Sequence, residues 1–172
     1  MVGQYNPFKT AISRNGLSVP MRELINLNIF NLTDKCIDIG CGKGQDVLFL
    51  QYMGINIVGY DEYNNEYKDD KLLNDKYDIV TCNYVFNVID LDEHKELLNK
   101  INELSDNIYI TVRSDSRAIK SNWKYILEHD YWLTPKRTYQ RFYTEEMVNK
   151  YFGKVEYIIN NNSLKMFKLV KQ

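Results

Sequence analysis

The chain has 172 residues, of which 44% are apolar and 26% are charged, and its formal net charge at pH 7 is −1. This size and composition are typical of one globular domain with a substantial core. No stretch approaches the length of a membrane-spanning helix, and residues 1–16 contain no apolar segment of signal-peptide length, so the sequence favours neither a membrane protein nor a secreted one. We therefore expect a single domain over residues 1–172.

Cysteine and histidine are too sparse to predict a disulfide framework or a metal site. The three cysteines, Cys36, Cys41 and Cys82, form no CxxC pair, and His94 and His129 stand far apart. We expect reduced thiols in a cytoplasmic protein, and no bound metal. The many Asn, Lys, Ile and Tyr residues favour an AT-rich genome, such as that of a phage or a low-GC bacterium.

Charge is unevenly distributed along the chain. Residues 1–22 carry three basic and no acidic groups, residues 23–112 carry seven basic and seventeen acidic groups, and residues 113–172 carry twelve basic and six acidic groups. Cationic flanks can attract an anionic substrate, although solvated lysines explain most such imbalances.

Hydrophobic periodicity predicts alternating helices and strands in the first half of the chain. Pro20 suits the first turn of a helix, and Gly54 suits the left-handed position that ends one. The predicted elements are a helix over 20–30, a strand over 35–39, a helix over 44–53, and strands over 55–60 and 77–86.

The second half begins with the clearest helix, over 90–104, where Asp90 and Glu93 resemble a capping box. A strand over 107–112 follows, then a helix over 145–152 between Thr144 and Gly153, and strands over 154–159 and 164–170 around an Asn-rich turn. This order predicts an α/β fold whose mostly parallel sheet is covered by helices and closed by a C-terminal antiparallel hairpin.

The segment CIDIGCGKGQD, over residues 36–46, is the strongest functional signal. After a strand, Gly40, Gly42 and Gly44 permit a tight turn into a helix that presents free backbone N–H groups to a ligand. The spacing is GxGxG rather than the GxGxxG of dinucleotide sites, and Asp38 before it would repel a pyrophosphate. A ligand with a positive charge fits better.

A second acid, Asp61, ends the next strand, 23 positions after Asp38. This is about the spacing at which a carboxylate reaches the two hydroxyls of a ribose from the neighbouring strand. The two acids thus describe a ligand that carries a ribose and a positive charge. S-adenosylmethionine fits this description, and NAD fits it less well.

The sequences DIGCGKG and VGYD together resemble the class I S-adenosylmethionine-dependent methyltransferases, with their Rossmann-like sheet. The resemblance implies that Asp38 and the loop Gly40–Gly44 hold the methionine end of the cofactor, that Asp61 holds the ribose, and that Asp46 helps to order the loop. The expected cofactor-binding residues are Asp38, Gly40, Cys41, Gly42, Gly44, Asp46, Tyr60, Asp61 and Asn83.

A closer likeness extends over most of the chain. The segments KTAISRNGLSVPMR (9–22), YDEY (60–63), YDIVTCNYVFNVI (77–89), ITVRSD (110–115) and RTYQRFYTEEM (137–147) resemble a bacterial and phage family of DNA phosphorothioation-associated methyltransferases. One departure from the class I plan lies in residues 62–76, which are mostly polar and leave room for a short helix at most. We expect the sheet to lack one edge strand there, together with the usual adenine contacts.

The chemistry is expected at the end of the strand over 77–86, where Asn83 and Tyr84 are the candidate catalytic residues. Methyl transfer needs a nucleophile positioned near the methyl carbon, sometimes with a base. The element CNYVF has an Asn and an aromatic residue but lacks the prolines typical of amino-methyltransferases. The alternative is a buried strand without a catalytic role, in which the side chain of Asn83 only forms hydrogen bonds with backbone groups.

Basic residues with aromatic neighbours are the candidate substrate contacts, because they can bind phosphates and stack on a base. The N-terminal segment over residues 1–30 is expected to act as a substrate-binding lid. The candidates are Arg14, Arg22, Arg113, Arg137, Tyr139 and Arg141.

The sequence thus predicts a methyltransferase that uses S-adenosylmethionine and acts on a nucleic acid or a nucleotide. The pI of about 6.1 lacks the basicity expected of a protein that wraps DNA alone. The main alternative is a non-catalytic S-adenosylmethionine-binding regulatory protein. A further alternative, an NAD-type oxidoreductase, is disfavoured by the glycine spacing and by Asp38.

Overall fold

The structure is a computed structural model that describes residues 7–171. Its helices are α1 Val19–Asn26, α2 Gln45–Tyr52, α3 Leu91–Leu104 and α4 Glu145–Phe152. Its strands are β1 Cys36–Ile39, β2 Ile57–Tyr60, β3 Ile79–Asn83, β4 Ile108–Arg113, β5 Lys124–Ile126, β6 Tyr131–Leu133, β7 Tyr139–Gln140, β8 Val155–Asn160 and β9 Leu164–Leu169.

The main sheet has six strands in the order β2-β1-β3-β4-β9-β8. Strands β2, β1, β3 and β4 are parallel, and β9 pairs antiparallel with both β4 and β8. The prediction of a mostly parallel α/β sheet with a C-terminal antiparallel hairpin is confirmed. Because the strand order turns at β1 and β3, the carboxyl ends of these strands form the edge where ligands bind in such sheets.

The predicted loss of one edge strand is also confirmed. Residues 61–77, all of which the structure describes, contain a 3₁₀-helix at Asp70–Asn74 and no strand, so β2 forms the edge of the sheet. Seven of the first nine residues of this interval after Asp61 are polar or charged Asn, Glu, Lys and Asp, which cannot supply a buried strand with its apolar face.

Apolar residues cover both faces of the sheet. On one face, Ile101 of α3 and Phe152 of α4 pack against Ile37, Val80 and Ile110 of the strands. On the other face, Met21 and Leu24 of α1 and Val47 of α2 pack against Cys36 and Ile79. Alternate residues of β1 therefore enter opposite cores, as the two-residue period of a strand dictates.

Local signals set the starts of α3 and α4 where the sequence predicts them. Asp90 accepts hydrogen bonds from the backbone N–H groups of Asp92 and Glu93, and Glu93 accepts one from Asp90, which completes a capping box on α3. The Thr144 side chain accepts from Met147 at the start of α4. These caps satisfy backbone donors that have no partner inside the helix.

Three sequence predictions differ from the structure. Helix α1 ends at Asn26 rather than near residue 30, and Asn28 has a φ of 52°. Strand β3 ends at Asn83, because Tyr84 takes a left-handed backbone conformation and a 3₁₀-helix, Val85–Asn87, follows. A small antiparallel sheet, β5-β6-β7, is inserted between β4 and α4 where no strand is predicted.

Candidate functional site

The glycine loop joins β1 to α2 at the carboxyl edge of the sheet. Gly40, Gly42 and Gly44 have φ values of 71°, 60° and 70°, which residues with a side chain rarely adopt. The N–H groups of Gly40 and Cys41 donate to the backbone oxygen of Tyr60, at 2.7 and 3.1 Å. The loop is therefore anchored to the end of β2.

Side chains of the protein itself approach each of these glycines. A Cβ atom on Gly40 would lie 2.2 Å from Cγ2 of Val85, and one on Gly44 would lie 1.9 Å from the hydroxyl oxygen of Tyr67. At Gly42 the nearest atom is the Cβ of Ala11, at 3.3 Å. Internal packing thus explains much of the need for glycine, beside the room that a ligand needs.

Asp61 lies directly after β2, with 8% of its surface exposed. Its carboxylate accepts the N–H of Gly42 at 2.8 Å and that of Tyr63 at 2.9 Å. Burial raises the pKa of Asp61, and the backbone N–H groups oppose the rise. A carboxylate has about four acceptor positions, so Asp61 can hold the loop and still accept from a ligand hydroxyl.

Asp38, on β1, is 4% exposed and accepts the hydroxyl of Thr81 at 2.7 Å. Burial raises the pKa of Asp38 from 3.8 to about 8, with Asp46 and Asp61 adding to the rise and Arg14 opposing it. A cationic ligand beside Asp38 would favour the ionised carboxylate. The free site is therefore suited to a group such as an ammonium.

A cleft of about 1140 Å³ runs from the glycine loop along the carboxyl edge of the sheet and along the length of α3. Most of the predicted site residues line it. They are Asp38, Gly40, Cys41, Gly42, Asp46, Tyr60, Asp61, Asn83, Tyr84, Arg14 and Arg113.

Residues 10–18 pass over the glycine loop and form part of the same cleft. Lys43 donates to the hydroxyl of Ser13 at 2.7 Å, and Gln45 and Asp46 accept the backbone N–H groups of Arg14 and Ser18 at 3.3 and 2.6 Å. This part of the predicted lid is fastened to the loop and to the first turn of α2. Residues 1–6 of the predicted lid lie outside the described residues.

Five predicted site residues do not line the cleft, and Arg141 is the clearest case. Arg141 is 1% exposed, and its guanidinium group donates to the backbone oxygens of Asp130, His129 and Phe86. It joins the small sheet to the end of β3 rather than facing the cleft. The other four are Gly44, Arg22, Arg137 and Tyr139.

The end of β3 lies where the cleft passes from the glycine loop to β4. The amide of Asn83 contacts the sulfur of Met21 at 3.8 Å, and the backbone N–H of Tyr84 donates to Thr111 at 2.8 Å. Burial raises the pKa of Tyr84, while the charges of Arg14 and Arg113 oppose the rise. The phenol therefore keeps its proton at neutral pH and can donate a hydrogen bond.

Sequence reasoning missed several residues of the cleft wall. Gln140 lines it beside Arg113, and Ser163 lines it from the turn before β9. Gln140 belongs to the TYQ element of the family resemblance, which was a usable signal. No local signal marked Ser163, because its position depends on the pairing of β9 with β4.

The described residues contain neither a candidate metal cluster nor a helix suited to crossing a membrane. Among residues 7–171 there is no cluster of three or more His, Cys, Asp or Glu side chains that could hold a metal ion. Within the same residues no helix has both the length and the apolar character to cross a membrane.

Known proteins share this architecture. A family model described as "Methyltransferase domain" matches residues 14–158. No curated protein matches the chain in sequence.

Solved structures that resemble the chain include an S-adenosylmethionine-dependent methyltransferase from Clostridium acetobutylicum, with a TM-score of 0.56 and 16% identity over 88% of this chain and 91% of that one. Magnesium protoporphyrin IX methyltransferase from Synechocystis was solved with S-adenosylmethionine bound. It has a TM-score of 0.53 and 17% identity, over 88% of this chain and 76% of that one. A glycopeptide N-methyltransferase, complexed with S-adenosylhomocysteine, has a TM-score of 0.58 and 8% identity over 94% of each chain. At these identities the likeness is one of fold, and the fold is the class I Rossmann-like methyltransferase fold.

Proposed function

The chain belongs to the methyltransferase domain family, and we propose that it binds S-adenosylmethionine and transfers the methyl group to a nucleotide or a nucleic acid. The observation that carries this proposal is the pairing of two buried carboxylates, Asp38 and Asp61, on either side of the glycine loop in one cleft. One suits an ammonium group and the other a pair of ribose hydroxyls.

The residues present fit this cofactor. Asp38 would hold the ammonium group, and the backbone between Gly40 and Gly44 would lie along the methionine moiety. Asp61 would accept from the ribose while keeping its bond to Gly42. When bound, the cofactor supplies an electrophilic methyl group on a sulfonium.

The chain's own part in the reaction would be positioning. Asn83 and Tyr84 line the cleft after β3, and the protonated phenol of Tyr84 can donate to an acceptor oxygen or nitrogen. Holding the acceptor in line with the reactive carbon converts a bimolecular step into an effectively unimolecular one.

The choice of a nucleotide or nucleic acid is supported by cationic residues of the cleft, Arg14 and Arg113, and by the sequence resemblance to the DNA phosphorothioation-associated methyltransferases of bacteria and phages. We propose membership of that group within the wider family. We also propose that the protein acts in the cytoplasm, since its three cysteines are unpaired.

The first experiment is calorimetric titration of the purified protein with S-adenosylmethionine, S-adenosylhomocysteine and NAD. We expect micromolar binding of the first two, weak or no binding of NAD, and loss of binding in Asp61→Asn. Asp92→Asn is the matched control, because Asp92 is an exposed acid outside the cleft wall. Thermal melting of each variant separates lost binding from lost folding.

Absence of binding by the folded wild-type protein would overturn the cofactor assignment. Binding followed by release of S-adenosylhomocysteine with nucleotides or oligonucleotides would support methyl transfer. Binding without turnover on any acceptor would favour the alternative, a non-catalytic regulatory protein that binds S-adenosylmethionine.

A further inference from the structure

Two arginines belong to the cleft wall, Arg14 over the glycine loop and Arg113 at the end of β4. Neither guanidinium group makes a hydrogen bond or ion pair with a described residue, although their charges act to lower the pKa of Asp38 and of Asp115 respectively. The guanidinium carbon of Arg113 lies over the face of Phe142, 5.4 Å from the ring centroid. Arg117, four residues further on, is instead paired with Asp115 at 2.8 Å.

The backbone at both arginines is held firmly although the side chains are free. The N–H of Arg113 donates to the side-chain oxygen of Asn87 at 3.0 Å, and its carbonyl accepts from Tyr143 at 2.8 Å. The N–H of Arg14 donates to Gln45. Two cations on fixed backbone positions, with unused donors, form a preorganised site for an anion.

Arg14, Arg113 and Tyr84 line the same cleft. Burial and, to a smaller extent, Asp46 raise the pKa of Tyr84, and the charges of both arginines oppose this rise. Tyr84 follows the end of β3, where the methyl group is expected. Gln140 and Ser163 line the same cleft and add neutral hydrogen-bonding groups. One small acceptor molecule could therefore place its anionic group at the arginines and its reacting atom beside Tyr84.

The rest of the cleft argues against a long polyanion. Seven acidic side chains line it beside the glycine loop and along α3, against two lysines, Lys43 and Lys100. The acids are Asp38, Asp46, Asp61, Glu62, Glu93, Glu96 and Glu103. A chain of phosphates passing through would meet these carboxylates at close range, and like charges in a partly desolvated cleft repel strongly. A single anionic group beside Tyr84 would meet the two arginines and one carboxylate, that of Asp46, which already accepts the N–H of Ser18.

We propose that Arg14 and Arg113 bind one oxyanion, a phosphate or a carboxylate, on a compact acceptor such as a mononucleotide. This inference rests on the proposed methyl transfer and narrows its acceptor from nucleic acid to a small molecule with one anionic group. Arg113 binds the oxyanion at the end of β4, and Arg14 completes the site from the segment over the glycine loop.

The test is calorimetric titration of protein saturated with S-adenosylhomocysteine, using inorganic phosphate, acetate, adenosine 5′-monophosphate, adenosine and single-stranded oligonucleotides of increasing length. We expect an oxyanion probe to bind. A comparison of inorganic phosphate with acetate shows whether the site prefers a phosphate or a carboxylate. Arg113→Gln and Arg14→Gln should each weaken binding by about tenfold or more, the value of a charge-assisted hydrogen bond. Arg117→Gln should leave it unchanged.

Several outcomes would overturn the inference. They are absence of binding by every oxyanion probe, binding that Arg113→Gln does not weaken, affinity that rises steadily with oligonucleotide length, and an Arg14→Gln variant that loses only S-adenosylhomocysteine affinity. The probes are also titrated into protein without S-adenosylhomocysteine. If S-adenosylhomocysteine itself fails to bind, the cofactor proposal fails, and the oxyanion site is judged from this second titration alone.

Discussion

The carboxylate of Asp46, in the first turn of α2, accepts the backbone N–H of Ser18 at 2.6 Å. Ser18 is the N-cap of α1, and its hydroxyl in turn accepts the N–H of Met21. The helix that follows the glycine loop is thus joined directly to the start of α1, which packs on the same face of the sheet. Two segments of the candidate site, far apart in sequence, are held as one unit.

Replacing Asp46 with alanine should loosen residues 10–18. A hydrogen bond to a charged acceptor contributes about 1.5–3 kcal/mol, so we expect the free energy of unfolding to fall by about 2 kcal/mol. Hydrogen exchange of residues 10–18 should rise, and S-adenosylhomocysteine should bind more weakly. Asp92→Ala is the control, because Asp92 has the same second position in α3 and accepts no hydrogen bond from a described residue.

Both substitutions remove a carboxylate from a first helical turn, where it is worth about 0.3–1 kcal/mol in its interaction with the helix dipole. The difference between the two variants therefore measures the bond to Ser18. Equal losses of stability in the two variants, with unchanged hydrogen exchange in residues 10–18, would show that this bond does not hold the segment in place.

Asp38 should destabilise the free protein at alkaline pH. Its pKa in the folded chain is about 8, against 3.8 as the ordinary value, so the folded state binds the proton more tightly than the unfolded state does. Stability is then lost as the pH rises from about 4 through 8, by an amount on the order of a few kcal/mol. Asp38→Asn keeps an acceptor for Thr81 and removes the charge.

We expect Asp38→Asn to be more stable than wild type at pH 8 and nearly equal to it at pH 4, in denaturant unfolding. The same variant should bind S-adenosylhomocysteine at least tenfold more weakly, because the ammonium group loses its counter-charge. A variant that is less stable at pH 8 would contradict the electrostatic interpretation. A variant with full affinity would remove Asp38 from the cofactor site.

The sequence predicted those parts of the molecule whose causes are local. Glycines at alternate positions, an acid at the end of each of two strands, and the Asp90–Glu93 capping box all act within a few residues, and all are found as expected. The parallel order of the strands followed from their alternation with helices.

The parts that sequence reasoning missed depend on distant contacts. Arg141 resembles a surface cation in the sequence, but its donors are satisfied by backbone oxygens of residues 86, 129 and 130. Strands β5 to β7 are short and partly exposed, so they carry no clear alternation. Tyr67 fills the space beside Gly44, and no short sequence motif connects these two residues.

His94 should make the protein less stable in acid. It is 3% exposed and packed among Phe86, Tyr151 and Phe152, and its Nε2 has no hydrogen-bond partner within the described residues. Burial lowers its pKa from 6.5 to about 4, so the unfolded state binds a proton more readily than the folded state. The stability contributed by neutral His94 is fully present above pH 6.5 and is lost as the pH falls towards 4, by about 3 kcal/mol.

His94→Phe should keep the aromatic packing and remove this loss. We would compare wild type and variant by denaturant unfolding at each pH, so that other titrating groups cancel in the difference. The variant should gain relative stability steadily from pH 6.5 to 4. His129→Gln, at an exposed histidine, is the control and should follow wild type; a constant difference between His94→Phe and wild type would contradict the assignment.

Gly44 should tolerate alanine poorly for two separable reasons. Its φ of 70° costs a residue with a side chain about 1–2 kcal/mol, and the new Cβ would overlap the ring of Tyr67. Gly54→Ala is the matched control, since Gly54 has a φ of 87° but its Cβ would meet Leu32 at an ordinary 3.7 Å. We expect Gly44→Ala to lower the free energy of unfolding by more than Gly54→Ala does.

The overlap can be isolated by removing the ring. In a Tyr67→Ala background, Gly44→Ala should cost only the backbone strain, so its effect should approach that of Gly54→Ala. This coupling between neighbouring residues is what a double-mutant cycle measures. If Gly44→Ala costs the same with and without the ring of Tyr67, then packing does not explain the glycine, and its left-handed backbone conformation alone accounts for the cost.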